Sequence, residues 1–419
     1  MNTDKLQIDL QKAILALSDA LDILGNDKAQ HGKRVGYIAA QCAHQLGYEQ
    51  KIVSKCFNMG LLHDIGVSKT LEMGKLLDNV NPDQVMNIMT HCKRGHALLK
   101  NFGPFANLAD AVLHHHTPWM ELQKLGLDKE TAILANLIHM ADRIDATLQN
   151  TSNTVYLIKA NQTYDYLKSA RGVDFDSSLV DAFLEISKQQ AFWMRMEPRH
   201  LGHFIEEMGS QAQSVKIGIG QIKHLARMFS EIVDAKSPFT AEHSHGVAKL
   251  AHWIGKQLQL SPLDCEKLEL AGYFHDLGKL RVPDEILDKP DKLSLDEEAV
   301  MKYHPFDTYE ILRRIPGIED IAMWASNHHE TLDQKGYPFL WDRDAICIKS
   351  RILAVADVFQ ALVQKRPYRD AMAIPEAIKI MDTLVDEKRL DEALVGLIKQ
   401  NVEACLIAAT STPMDIAAA

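Results

Sequence analysis

The chain has 419 residues, of which 46% are hydrophobic and 24% charged, a globular composition with length enough for two or three cores. Its formal net charge of −10 excludes a protein built to grip a nucleic-acid backbone, but leaves room for a locally cationic pocket that takes a small anion. Its cysteines, Cys42, Cys56, Cys92, Cys265, Cys347 and Cys405, form no CxxC pair, which argues against a disulfide framework or a cysteine zinc site.

From the amino terminus, Asp4, Lys5, Asp9, Lys12, Asp19 and Asp22 interrupt any signal-peptide core. No apolar run approaches the roughly 18 to 20 residues of a membrane span, so a cytoplasmic protein off the membrane is expected. Histidines and aspartates then recur in a fixed order: His31, His63-Asp64, His91, His115-His116 and Asp142. Ile217, Ile219, Ile222, Leu225 and Phe229 predict a connecting helix. Beyond it the order returns as His243, His275-Asp276, His304, His328-His329 and Asp357. The first interval is 32 residues in both halves, the next 28 against 29, then 24 in both, and the last, from the second paired histidine, 26 against 28. Flanking text agrees, LLHDIG with YFHDLG and HCKRGHALL with HPFDTYEIL, which marks an internal duplication. Apolar residues at helical spacing, as in Val247, Leu250, Ala251, Ile254 and Leu258, and the scarcity of alternating runs predict an all-α protein. Its expected parts are a domain at 1–205, a connecting helix at 206–235 and a second domain at 236–419.

A lone histidine on an apolar helix face is more often a satisfied core residue than a ligand. Recurrence of several ligand types at near-constant intervals weakens that reading. Asp357 lies within Ile352-Leu353-Ala354-Val355-Ala356-Asp357-Val358-Phe359, with no cation beside it. An unpaired carboxylate buried there costs several kcal/mol (roughly, by any desolvation scale), and a divalent ion compensates it. Mixed imidazole and carboxylate donors suit iron, manganese or zinc. Five histidines and two aspartates exceed what one tetrahedral metal uses, and in the C-terminal half two ions bridged by an aspartate and a hydroxide would use them all, while the N-terminal half is a candidate further metal site. Such a hydroxide would attack a phosphorus in line.

With HDLGK at His275–Lys279, His304-Pro305, His328-His329-Glu330 and Gly336-Tyr337-Pro338 in place, the stretch from Ile232 to Met372 resembles the HD-GYP family, a branch of the HD phosphohydrolase superfamily. The resemblance implies tandem helical HD domains and a two- or three-metal iron or manganese centre. It also implies hydrolysis of cyclic di-GMP, or in some members 3′,3′-cyclic GMP-AMP, to the linear dinucleotide. By the same resemblance the metal ligands are His243, His275, Asp276, His304, His328, His329 and Asp357, with Asp276 and Lys279 catalytic. Lys279, Gly336, Tyr337, Arg366 and Arg369 would contact substrate. Lys279, four residues after His275, is expected on the same helix face as it.

Three positions depart from the family pattern. Gln334 and Thr308 stand where the family has glycines, and Phe239 stands where three-metal members have a glutamate, so two ions are expected. The N-terminal half resembles a diverged HD domain. It keeps His31, His63, Asp64, His91, His115, His116 and Asp142 as a second metal site, but has Val67 in place of Lys279, Thr151 in place of Arg366, and no GYP after His116. It is expected to hold metal without hydrolysing, and to regulate or brace the C-terminal half. The alternative for the whole chain is a non-hydrolytic cyclic-dinucleotide sensor or scaffold. Diguanylate-cyclase-type signalling proteins and a second copy of the chain are the macromolecular partners left open.

Overall fold

A computed structural model describes residues 6–25, 30–69, 85–149, 156–211, 215–237, 243–364 and 371–411. Arg366, Arg369, Phe239 and Thr151 lie outside these described residues. Helices dominate, as the apolar periodicity predicts, and no described helix is long and apolar enough to cross a membrane.

The chain divides into two compact units, Leu21–Val215 and Met1–Ala20 together with Lys216–Ala419. The opening residues therefore pack with the C-terminal unit. Gln7–Asp9 pairs antiparallel with Lys216–Gly218, placing Ile8 opposite Ile217, and both isoleucines are buried. The segment 206–235 is not one helix. It contains the end of helix Pro198–Gln211, that short strand, and helix Ile219–Asp234. Ile217, read as helical, belongs to the strand because its backbone pairs across the sheet rather than along the chain.

Within each unit the helix that begins at the first histidine, His31–Gln45 or His243–Gln257, packs on the helix that ends just before the His-Asp pair, Gln50–Leu62 or Pro262–Phe274. The contact is close in both. A Cβ on Gly272 would lie 2.4 Å from Ala248 Cα, and one on Gly60 would lie 2.3 Å from Gly36 Cα. Only glycine lets the two backbones approach so near, and that approach brings the first histidine to the dyad. Ser261 starts the C-terminal member, its side chain accepting from Asp264 N, with Pro262 at the first helical position. Phe57, Phe183, Phe192, Trp193 and Tyr37 fill the core of one unit, and Phe229, Phe274 and Phe359 that of the other.

Candidate metal centres

In the C-terminal unit the seven expected ligands converge from five helices. His243 and His304 open helices His243–Gln257 and His304–Leu312. His275-Asp276 and His328-His329 follow the ends of Pro262–Phe274 and Glu319–Ser326, and Asp357 lies within Ile348–Val363. Asp276 sits between two donor sets. Its Oδ2 is 3.7 Å from His243 Nε2 and 3.3 Å from His275 Nε2. Asp357 Oδ1 completes that side, 3.2 Å from His243 Nε2. Asp276 Oδ1 faces the other way, 3.5 Å from His304 Nε2 and 3.8 Å from His328 Nε2. His329 closes this second set, with its ring 4.1 Å from that of His328.

The rings are aimed by what they do with their other nitrogen. His275, His304 and His328 each turn Nδ1 to the carbonyl three residues earlier, of Gly272, Met301 and Ala325, at 2.7, 2.7 and 2.6 Å. Only an N–H can meet a carbonyl, so Nδ1 carries the proton and Nε2 presents its lone pair inward. Burial, reinforced by the Lys279 charge, pushes His304 down to about 3, and burial with the neighbouring His275 pushes His328 down to about 4. Both imidazoles are neutral near pH 7, the form that binds metal. Burial alone would raise the Asp276 and Asp357 carboxyls, but the surrounding histidines, with Lys279 at Asp276, hold both well below the usual carboxylate range. His275 Nε2 and Asp276 Oδ1 are buried with no hydrogen-bond partner among the described residues. A cation would satisfy both, so the residues fit divalent metal ions.

Lys279 does reach the centre, though not along a helix. The helix stops at Phe274, and Lys279 lies on a 3₁₀ turn, Leu277–Arg281, that swings its Nζ to 2.6 Å from Asp276 Oδ2. It is therefore set against Asp276, three residues back, and not against His275. Thr308, where the family has glycine, has a role of its own. Its hydroxyl accepts from Gly278 N at 2.9 Å and donates to the His275 carbonyl at 3.2 Å, tying down the turn that carries the dyad.

The chain just after GYP is held by Glu330, a motif residue to which the sequence assigned no role. Glu330 is buried, and its carboxylate accepts from the backbone of Phe339, Leu340 and Trp341 at 2.6, 3.1 and 3.2 Å. A Cβ on Gly336 would lie 2.5 Å from Glu330 Cα, so this glycine serves the loop's own packing. Tyr337 stacks on His329 with ring centroids 4.8 Å apart. Gln334 adopts φ 61°, supplying the left-handed turn for which the family uses glycine.

The N-terminal unit builds the same arrangement. Asp64 Oδ2 lies 3.8 Å from His31 Nε2 and 3.4 Å from His63 Nε2, while Oδ1 lies 3.5 Å from His91 Nε2 and 3.8 Å from His115 Nε2. Asp142 Oδ1 is 3.4 Å from His31 Nε2, and its Oδ2 is 3.9 Å from His116 Nδ1. Buried His31 Nε2, His63 Nε2, Asp64 Oδ1 and His116 Nε2 have no hydrogen-bond partner among the described residues, so this cluster fits metal too. Three neighbours are new. Cys92 places Sγ 3.5 Å from His91 Nε2, and His139 is buried behind His116, with ring centroids 5.9 Å apart. Arg143 sets Nη2 3.3 Å from Asp142 Oδ2. Their signal lay in the repeat itself, since the matching positions are Pro305, Ala354 and Val358.

This fold and these clusters define a tandem HD-domain protein, and family models described as HD domain match residues 29–147 and 227–394. A 3′3′-cGAMP-specific phosphodiesterase 1 of Vibrio cholerae serotype O1 is 38% identical over 94% of this chain and 92% of its own length. The cyclic di-GMP phosphodiesterase response regulator RpfG of Xanthomonas campestris pv. campestris is 37% identical over 42% of this chain and 47% of its own length. A crystal structure of a cyclic GMP-AMP specific phosphodiesterase from Vibrio cholerae shares the fold, with TM-score 0.65 at 23% identity over 98% of this chain and 99% of that one. The chain belongs to the HD-GYP-type family of HD-domain proteins.

Proposed function

We propose that the C-terminal unit is a cyclic-dinucleotide phosphodiesterase that opens its substrate's ring to a linear dinucleotide, with 3′,3′-cyclic GMP-AMP preferred over cyclic di-GMP. The observation that carries the reading is Asp276, set between two donor sets with the Lys279 ammonium 2.6 Å from its carboxylate. Two ions, iron or manganese by the donor chemistry, would rest on His243, His275, Asp276 and Asp357, and on Asp276, His304, His328 and His329. When bound, such a pair acidifies a water and clamps phosphoryl oxygens. Asp276 spaces the two donor sets. Lys279 offers the charge that meets the leaving oxygen as it becomes anionic. Tyr337, Arg366 and Arg369 would grip base, ribose and phosphate, on a loop whose packing Gly336 permits. The preference for the mixed dinucleotide is supported by the Vibrio relative that aligns along both units and bears that name. In this reading the N-terminal unit holds metal without hydrolysing, because Val67 offers no charge where Lys279 stands.

The test is full-length protein loaded with Mn²⁺ or Fe²⁺, given each cyclic dinucleotide, with the products resolved by chromatography and the metal counted by elemental analysis. A linear dinucleotide, formed faster from 3′,3′-cyclic GMP-AMP, is expected. Tight binding of either ligand without turnover by metal-loaded chain would replace this reading with the non-hydrolytic sensor.

A further inference from the structure

The two clusters differ most in what stands behind their first histidine. In the C-terminal unit, His243 Nδ1 donates to Gln360 Oε1 at 2.5 Å, and the Gln360 amide nitrogen reaches the Ala409 carbonyl at 3.4 Å. Gly246 makes room for that carbonyl, since a Cβ there would lie 2.1 Å from Ala409 O. A neutral amide, held by the last described helix of the chain, Val402–Ala409, thus supports the ring.

The repeat places different residues at the same two positions of the N-terminal unit. Asp145, three residues after Asp142, corresponds to Gln360, and Arg34, three after His31, corresponds to Gly246. His31 Nδ1 donates to Asp145 Oδ2 at 2.7 Å. Arg34 donates to both oxygens of that carboxylate, from Nε at 2.6 Å and from Nη2 at 3.0 Å. Arg34, Asp145 and Gln360 are all buried, so none of these contacts is weakened by solvent.

A carboxylate behind a metal-binding imidazole draws its Nδ1 proton and makes Nε2 a better donor, while a neutral amide does so far less. The guanidinium compensates the buried carboxylate and fixes both its oxygens. Turning the His31 ring away from a metal therefore means disrupting a charged network, whereas the His243 ring is held by one amide. In front of the clusters, Lys279 lies 2.6 Å from Asp276 Oδ2 and opposes a cation there, while Val67 opposes none. Arg143 works the other way in the N-terminal unit, but on Asp142 Oδ2, the oxygen turned from His31, whose nearer atom is Oδ1 at 3.4 Å.

We propose that these outer partners set how long each cluster keeps its metal. The N-terminal cluster holds a resident divalent ion on His31, His63, Asp64 and Asp142, braced by Asp145 and Arg34, and the C-terminal cluster, backed by Gln360, exchanges its ions readily. The inference rests on both clusters being metal sites, and not on what the C-terminal unit hydrolyses.

Two full-length variants isolate the clusters: His275→Ala/Asp276→Ala leaves the N-terminal one, and His63→Ala/Asp64→Ala leaves the C-terminal one. Each is loaded with Mn²⁺, its metal counted at time zero, and its loss into excess dipicolinate followed by elemental analysis. Metal in the N-terminal cluster should leave at least ~10-fold more slowly, and adding Asp145→Asn should speed that loss by ~10- to 100-fold, the usual effect of removing such a partner. Equal or faster loss from the N-terminal cluster, no metal there at time zero, or an Asp145→Asn variant that loses metal no faster would each overturn the proposal. Should Asp145→Asn lose its helical circular dichroism, the unmutated chain decides. Its release must be biphasic, with the slow phase missing from His63→Ala/Asp64→Ala, and a single phase overturns the inference. A chain that holds metal in both clusters yet hydrolyses no cyclic dinucleotide would instead refute the phosphodiesterase reading and leave the order of retention standing.

Discussion

Four residues past the histidine of its dyad, the C-terminal unit has Lys279, with Nζ 2.6 Å from Asp276 Oδ2, and the N-terminal unit has a buried Val67. One residue past its closing aspartate, the C-terminal unit has Val358, and the N-terminal unit has Arg143, 3.3 Å from Asp142 Oδ2. The donor atoms between these positions differ little. Dyad-to-ligand distances run 3.3 to 3.8 Å in one unit and 3.4 to 3.8 Å in the other. Duplication thus preserved the geometry that a metal demands, and changed the charges that a phosphate would meet. The side chains that fit a metal and those that would meet a phosphate are different ones, and between the two units the second set has changed while the first has not.

The comparison breaks most visibly at the dyads. His275→Ala/Asp276→Ala should cut hydrolysis by at least ~1000-fold, about 4 kcal/mol of barrier, whereas His63→Ala/Asp64→Ala should leave the initial rate within a few-fold. Initial rates on both cyclic dinucleotides measure this, and the opposite pattern would move the active site to the other unit.

A smaller effect sharpens the contrast between Lys279 and Val67. Lys279→Ala is expected to lower kcat by roughly 100-fold, with a lesser change in KM and no change in metal content, as for a group that acts on charge developing in the transition state. Loss of metal in this variant would show that Lys279 holds Asp276 in place instead.

Glu330 has no carboxylate counterpart in the N-terminal unit, where Thr117 stands at that position. Replacing Glu330 with alanine removes the acceptor for three backbone N–H groups and should raise KM about tenfold through a loosened loop, each charged hydrogen bond being worth roughly 1.5–3 kcal/mol. Metal content should hold. Saturation kinetics with an unchanged KM would detach the GYP segment from substrate binding.

The smallest effect concerns Thr308, matched by Gly95 in the other unit. Thr308→Val leaves Gly278 N without its hydroxyl partner and should cost about 1–2 kcal/mol in urea unfolding. An unchanged midpoint would mean that the turn stands without the hydroxyl.

What the sequence determined alone was the skeleton of histidines and aspartates that the fold brings together, the duplication and the helical class. Few residue types donate to a transition metal, and a centre fed from successive helices fixes the intervals between them, so His31 to Asp142 and His243 to Asp357 are legible as one repeated rhythm. The nearness of Lys279 to the dyad was legible, but its partner was not, because the helix ends at Phe274 and a 3₁₀ turn sends the side chain to Asp276. The pairing of Gln7–Asp9 with Lys216–Gly218 was hidden because three residues carry no readable alternation. The outer partners were the least legible. His31 meets Asp145 across 114 residues and His243 meets Gln360 across 117, and an aspartate or glutamine three places past a ligand looks like any polar residue on a helix. Which ring nitrogen such a residue supports, and whether Arg34 or the Ala409 carbonyl stands behind it, is decided by helices packing at close range, and only the tertiary structure holds that information.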